Sequence, residues 1–178
     1  NGIEPKWKHI AASAGLLSFA KIEGINIGNV ARVGKAVYGI DPRGPNPNLK
    51  PVLKLITKIV LIKTLKIGDK VGYDGTYTAP KAITLGILPI GYYDGVDRRL
   101  SNKGVMLVNG IPCSIVGRVS MKITTIDISD VPDPKVGQAV IVFSDNPKDQ
   151  NSIEEIAKRC ETIPYDIDVH LPETLPRI

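Results

Sequence analysis

The sequence has little that would suit it to metals, membranes or nucleic acid. It holds 2 cysteines, Cys113 and Cys160, far apart and at no metal or redox spacing. Its 2 histidines, His9 and His170, are too few for a His-rich metal site. A reducing compartment fits this cysteine usage best, so the protein is expected in the cytoplasm. No apolar run approaches the length needed to span a bilayer, and no membrane partner is expected. Aromatic residues make up only 5% of the chain, leaving few platforms on which bases would stack. The net charge of +5 invites a nucleic-acid reading. The lysines, however, are spread singly among Leu, Ile and Val, as at Lys50, Lys54, Lys58, Lys63, Lys66 and Lys70. That pattern is the solvated face of an amphipathic element, and no nucleic-acid partner is expected. There are no internal repeats and no low-complexity tracts.

What is present is an ordinary globular composition, 43% hydrophobic and 23% charged over 178 residues. No signal peptide is visible at residue 1. The chain opens with Asn and runs almost at once into an apolar segment, so it is expected to be a piece of something longer.

Residues 7–20 are apolar and rich in small residues. Residues 8–12 read as a buried strand turning into a short helix, and residues 30–38 as a second strand broken by Gly34. Residues 41–51 hold 4 prolines and a glycine, so they read as a linker, with a domain boundary near Leu49. Beyond it, residues 52–62 fit helical spacing almost as well as a buried strand, but Ile, Val and Thr enrichment favours β. Strands are then expected over 82–90, 105–108, 113–119, 123–128 and 139–143, with Asn109-Gly110 as a hairpin turn. Ser152-Ile153-Glu154-Glu155 reads as a capping box opening a helix whose apolar face is Ile153, Ile156, Ala157 and Cys160. From Glu161 the tail reads as extended and Pro-rich. Residues 49–178 are therefore expected to form a mainly β domain with one short helix, whereas residues 1–48 do not look self-sufficient.

The densest chemistry lies in residues 66–99, which hold Tyr73, Tyr77, Tyr92 and Tyr93 and two Tyr-Asp-Gly turns, at Tyr73-Asp74-Gly75 and Tyr93-Asp94-Gly95. Such turns present a phenol rigidly at the end of a strand. A tyrosine there is either a rim residue, apolar body in and hydroxyl out, or a group that moves protons.

Seven stretches, in order, bear a resemblance: HIAASAG (9–15), ARVGKAVYGIDP (31–42), KPVLKL (50–55), DKVGYDGTYTA (69–79), LPIGYYDGVDRRLSNKG (88–104), IVGRVSMK (115–122) and ETIPYDI (161–167). With them the chain resembles the C-terminal half of the alanine racemase family, pyridoxal-phosphate enzymes that pair a (β/α)8 barrel with a C-terminal β domain. The resemblance implies that residues 1–48 are the last strands of that TIM barrel and that 49–178 are the mainly β C-terminal domain. It implies interconversion of L- and D-alanine for peptidoglycan, in a homodimer whose active sites are shared between subunits.

Residue by residue, the resemblance makes Tyr73 the catalytic tyrosine, reaching the partner subunit's site. A free phenol has a pKa near 10, so a base there needs a neighbouring charge or donor that favours phenolate. Arg32 matches the arginine facing the pyridine nitrogen. Ser13, Gly34 and Lys35 match phosphate contacts, as does Tyr165. The placement agrees with the phosphate sites that the last loops of (β/α)8 barrels commonly build. Tyr92 and Arg98 match residues lining the substrate entrance, and Met121 the position whose backbone N–H holds the substrate carboxylate. Three positions depart from the family: Lys122 where Asp is common, Ala12 where Asn is usual, and Lys35 where an aliphatic residue is common. The family's cofactor lysine, in a Val-Lys-Ala-Asn-Ala-Tyr-Gly-His motif, is not among these residues, so the chain alone is expected to be inactive. Two alternatives stay open: a racemase of serine or of broader specificity, and a non-catalytic β module working in assembly.

Overall fold

The computed structural model describes every residue except Asn1, Ile3, Lys21, Ile25, Ile27, Pro45 and Ile178. Pro45, one of the linker prolines, thus lies outside the described residues. The chain divides into two compact units, Asn1–Val52 and Leu53–Ile178.

In the first unit, β1 (Ala11–Ala12) leads directly into α1 (Ser13–Phe19), and β2 (Ala31–Arg32) lies parallel to β1. The register pairs Ala11 with Ala31 and Ala12 with Arg32. Parallel neighbours need a crossover, and α1 supplies it. Both strands are shorter than the sequence suggests. Residues 8–10 are exposed, and Lys8 is tied instead to Asn29, whose Oδ1 accepts the Lys8 N–H at 2.8 Å and whose Nδ2 donates to Lys6 O at 3.0 Å. After Arg32 the chain stops being extended. Gly34 adopts φ −118°, ψ −86°, and Lys35–Tyr38 closes a 3-10 turn that ends at Gly39 with φ 80°. The apolar pattern of 30–38 thus belongs to two short pieces, since a strand cannot run through that bend at Gly34.

The second unit is built on β3 (Leu55–Lys58), β4 (Leu61–Leu65), β5 (Lys70–Val71), β6 (Tyr77–Thr78), β7 (Ile83–Leu88), β8 (Val105–Val108), β9 (Ile111–Ser114), β10 (Thr124–Asp127) and β11 (Ala139–Phe143). One antiparallel sheet has the order β10-β7-β4, another β3-β11-β8-β9, and β5 pairs with β6 alone. The ambiguity over residues 52–62 resolves as β. The central strand β7 is buried at Ile83, Leu85 and Leu88, and Gly86 lies beneath the side chains of Ile126 and Ile128. An isolated antiparallel bridge, Ile115 to Ile126, joins the end of the β8–β9 hairpin to β10. The strand expected over 113–119 therefore shortens: Gly117 turns with φ 79° and Arg118 begins a loop. The expected Asn109-Gly110 turn does link β8 to β9, both residues at positive φ (51° and 78°).

Leu65, Val71, Ala79, Ile83, Leu85 and Val116 form one core cluster with Tyr77 and Ile87 packed against it. In the other sheet Val140, Val142 and Phe143 are buried. Burying each such side chain contributes about 1.5–3 kcal/mol, and Phe143→Ala would cost about 3–5 kcal/mol.

Helix α2 (Ile153–Arg159) starts where the capping box predicts, with the Ser152 hydroxyl accepting the Glu155 N–H at 3.4 Å. Glu154 and Glu155 sit in its first turn, Lys158 and Arg159 in its last, matching the helix dipole. The extended tail is not observed. α3 (Pro164–Val169) follows instead, with Pro164 in the first turn, where its missing N–H leaves nothing unpaired. Among the described residues no helix is long and apolar enough to cross a membrane.

Candidate functional site

In the first unit, four of the singled-out residues gather at the ends of β1 and β2. Ser13, 6% exposed, opens α1 directly after β1. Its Oγ accepts the N–H of Gly34 at 3.2 Å and that of Ala36 at 3.4 Å. Lys35 lies between those two residues, at the start of the 3-10 turn. Arg32, at the end of β2, donates from Nη1 to His9 Nδ1 at 2.6 Å. The Ser13 hydroxyl, whose own proton stays available, and the Arg32 guanidinium held by an imidazole make a donor-bearing, cationic corner suited to an anion. His9 has no role in the motif reading; its place at the head of HIAASAG is the available signal.

In the second unit, Tyr73 opens a 3-10 turn between β5 and β6 and is 68% exposed. Tyr77, from the same hairpin, packs on the core, and burial followed by the charge of Asp127 pushes its phenol up. Asp74, beside Tyr73, sits at φ 61° and pairs with Arg118 at 3.4 Å. Asn102 braces the hairpin: its Nδ2 donates to Thr76 Oγ1 at 3.3 Å and its Oδ1 accepts the Gly117 N–H at 2.7 Å.

Tyr92 and Met121 are neighbours. The Tyr92 N–H donates to Ser120 O at 2.9 Å and the Tyr93 N–H to Met121 O at 3.0 Å. Met121 is 54% exposed, so it is not the core filler its side chain alone suggests. Lys122 meets Asp94 at 2.5 Å, so its charge is balanced by a carboxylate of this chain.

Arg98 lines a pocket of about 390 Å³ together with Thr76, Arg99, Ser101, Asn102 and Arg118. Of the three guanidiniums lining it, Arg99 pairs with Asp97 and Arg118 with Asp74. Arg99 is held by both oxygens of Asp97, which keeps the Asp97 carboxyl below its usual range through that hydrogen bonding. Arg118 has no local sequence signal beyond standing three residues before Met121. Tyr165 is in the first turn of α3. Among the described residues no group of His, Cys, Asp and Glu is arranged to hold a metal.

Residues 52–178 match the family model for the alanine racemase C-terminal domain. The chain belongs to the alanine racemase family. A relative named alanine racemase, from Sorangium cellulosum, is 35% identical over 181 residues, covering 99% of this chain and 47% of that protein. A crystal structure of alanine racemase from E. faecalis superposes with a TM-score of 0.86 at 32% identity, over 99% of this chain and 47% of that one. Alanine racemase from Bartonella henselae, solved with covalently bound pyridoxal phosphate, gives 0.82 at 31% identity, over 94% and 45%. The chain spans about half the length of the racemases it matches.

Proposed function

We propose that this chain is the C-terminal portion of a pyridoxal-phosphate-dependent racemase that interconverts L- and D-alanine. In this reading residues 1–48 complete a (β/α)8 barrel, and residues 49–178 are the β domain. Two chains form a cytoplasmic homodimer with shared active sites, and the D-alanine supplies peptidoglycan. What supports the reading, beyond family membership, is the corner where Ser13 meets the Gly34 and Ala36 N–H groups beside the His9–Arg32 pair.

That corner fits pyridoxal phosphate. Ser13 and the backbone of Gly34 and Lys35 would hold the phosphate; Tyr165 is assigned to it by the family resemblance alone. Arg32 would be the residue that meets the ring nitrogen; a guanidinium has only protons to donate, so it would favour an unprotonated nitrogen. Bound pyridoxal phosphate supplies an electron-withdrawing ring that makes the amino-acid α-proton acidic. Tyr73 takes or returns that proton on one face of Cα, and a lysine from outside these 178 residues acts on the other. Two acid/base groups on opposite faces are what inversion requires. Tyr73 suits the task because it is exposed on a braced hairpin, free to serve the other subunit's site. The Met121 N–H holds the substrate carboxylate, and Tyr92 and Arg98 line the approach.

The test is D-alanine formation from L-alanine with added pyridoxal phosphate, run on this 178-residue chain and on a longer polypeptide containing it. Activity only in the longer form is expected. Activity in the 178-residue chain would overturn the assignment of the second base, and silence in both would overturn the racemase reading.

A further inference from the structure

The turn after β7 and the loop before β10 are joined by a side-chain clasp that the chemistry above does not use. Asp94 is 5% exposed. Its Oδ2 accepts the Gly91 N–H at 3.1 Å, and its Oδ1 accepts from the Lys122 ammonium at 2.5 Å. The same ammonium lies 4.2 Å from the centroid of the Tyr93 ring. Inside this clasp run the two backbone bonds from Tyr92 and Tyr93 to Ser120 and Met121.

An ordinary surface lysine has neither a buried carboxylate nor an aromatic face to hold it. Here both partners belong to one turn, and the lysine is the chain neighbour of Met121. Removing the ammonium leaves the Asp94 charge buried without its cation, which is costly even where the pair itself contributes little. The nearest structure able to relieve that cost is the turn itself, by opening away from residues 120–121.

We propose that Lys122 is a positioning residue: by clasping Asp94 and Tyr93 it fixes the junction that aims the Met121 N–H and seats Tyr92. The proposal rests on the reading that the Met121 N–H takes the substrate carboxylate. Lys122 acts through the backbone, since Asp94 already balances its charge. An interaction made equally with substrate and transition state acts on KM and leaves kcat alone.

The experiment compares Lys122→Met and Lys122→Arg in the full-length polypeptide, by alanine racemisation kinetics and by amide hydrogen exchange. Lys122→Met is expected to raise KM on the order of tenfold with kcat within about twofold. It is also expected to speed exchange at the Tyr92 and Tyr93 amides on the order of tenfold. Lys122→Arg, which keeps a cation able to reach Asp94, is expected to recover most of both. Unchanged exchange in Lys122→Met overturns the clasp. Faster exchange with an unchanged KM overturns its role in substrate placement. A wild-type polypeptide without racemase activity overturns the function proposed above, and the exchange result then decides the clasp alone.

Discussion

The Ser13 hydroxyl accepts the Gly34 N–H at 3.2 Å, joining residues 21 apart in sequence across the ends of two parallel strands. A hydroxyl that accepts from this backbone still has its own proton to donate to a phosphate oxygen. Ser13→Ala is expected to weaken pyridoxal phosphate binding about tenfold, the value of one hydrogen bond to a charged group. Equilibrium dialysis of the cofactor against the full-length polypeptide would read it; an unchanged affinity would remove Ser13 from the phosphate site.

Tyr73→Phe takes away one oxygen from an exposed side chain, so folding and thermal midpoint should be unaffected. Racemisation should fall by about 10²–10⁴, the range for loss of a positioned acid/base. Wild-type rates in that variant would end the role given to Tyr73. Tyr77→Phe is the control: that phenol packs on the core, and its loss should leave the rate nearly unchanged.

The contrast between these tyrosines shows how far the sequence could be read. Strand positions in the β domain were legible because Val, Ile and Leu runs are punctuated by turn residues, and β8 and β11 fall where expected. Ser152 gave α2 its start. Pro164 misled, because a proline reads as a breaker, yet it is welcome in a helix's first turn. In the site, motif order singles out Tyr73, Ser13 and Arg32 through the family resemblance. No local pattern announced that Asn102 braces the Tyr73 hairpin or that Lys122 closes on Asp94, because those partners are far apart in the chain: Thr76 lies 26 residues from Asn102, and Asp94 28 from Lys122.

Asp168, on α3, faces Glu154, on α2, and among the described residues its two carboxylate oxygens have no hydrogen-bond partner. Burial, then the Glu154 charge, pushes its pKa from 3.8 up to about 6. The folded state therefore holds more protons than the unfolded one between those values. Stability from this site is present below pH about 4 and is lost as pH rises through about 6. Asp168→Asn should remove that dependence, stabilising by about 1 kcal/mol at pH 7 and by almost nothing at pH 4. Urea unfolding at the two pH values checks it; equal effects at both would mean that Asp168 is not ionised against a cost.

Cys113 and Cys160 are buried, and desolvation pushes both thiols from 9.0 up to about 11. At pH 8 few are thiolate, so a thiol reagent should react more than about a hundredfold slower with the native protein than with free cysteine. Denaturant should restore ordinary rates. Rapid labelling of the native protein would show that α2 or the β8–β9 hairpin opens readily.

Gly91 is constrained by space and Gly110 by conformation, and the two costs should differ. At Gly91 φ is −152°, which any residue adopts, but an added Cβ would lie 2.1 Å from Ser120 O and 2.6 Å from Met121 O. Both are backbone atoms, so relief requires the two segments to part and the Tyr92 and Tyr93 amides to lose their acceptors. At Gly110 φ is 78° with nothing within 4 Å, so only the strain of a left-handed residue remains. Gly91→Ala should cost about 3 kcal/mol and Gly110→Ala about 1 kcal/mol, read as shifts in the urea midpoint at constant m-value. Gly91→Ala should also raise KM if the junction aims Met121, whereas Gly110→Ala should not. Equal stability losses would mean that the close approach at Gly91 relaxes without parting the two segments.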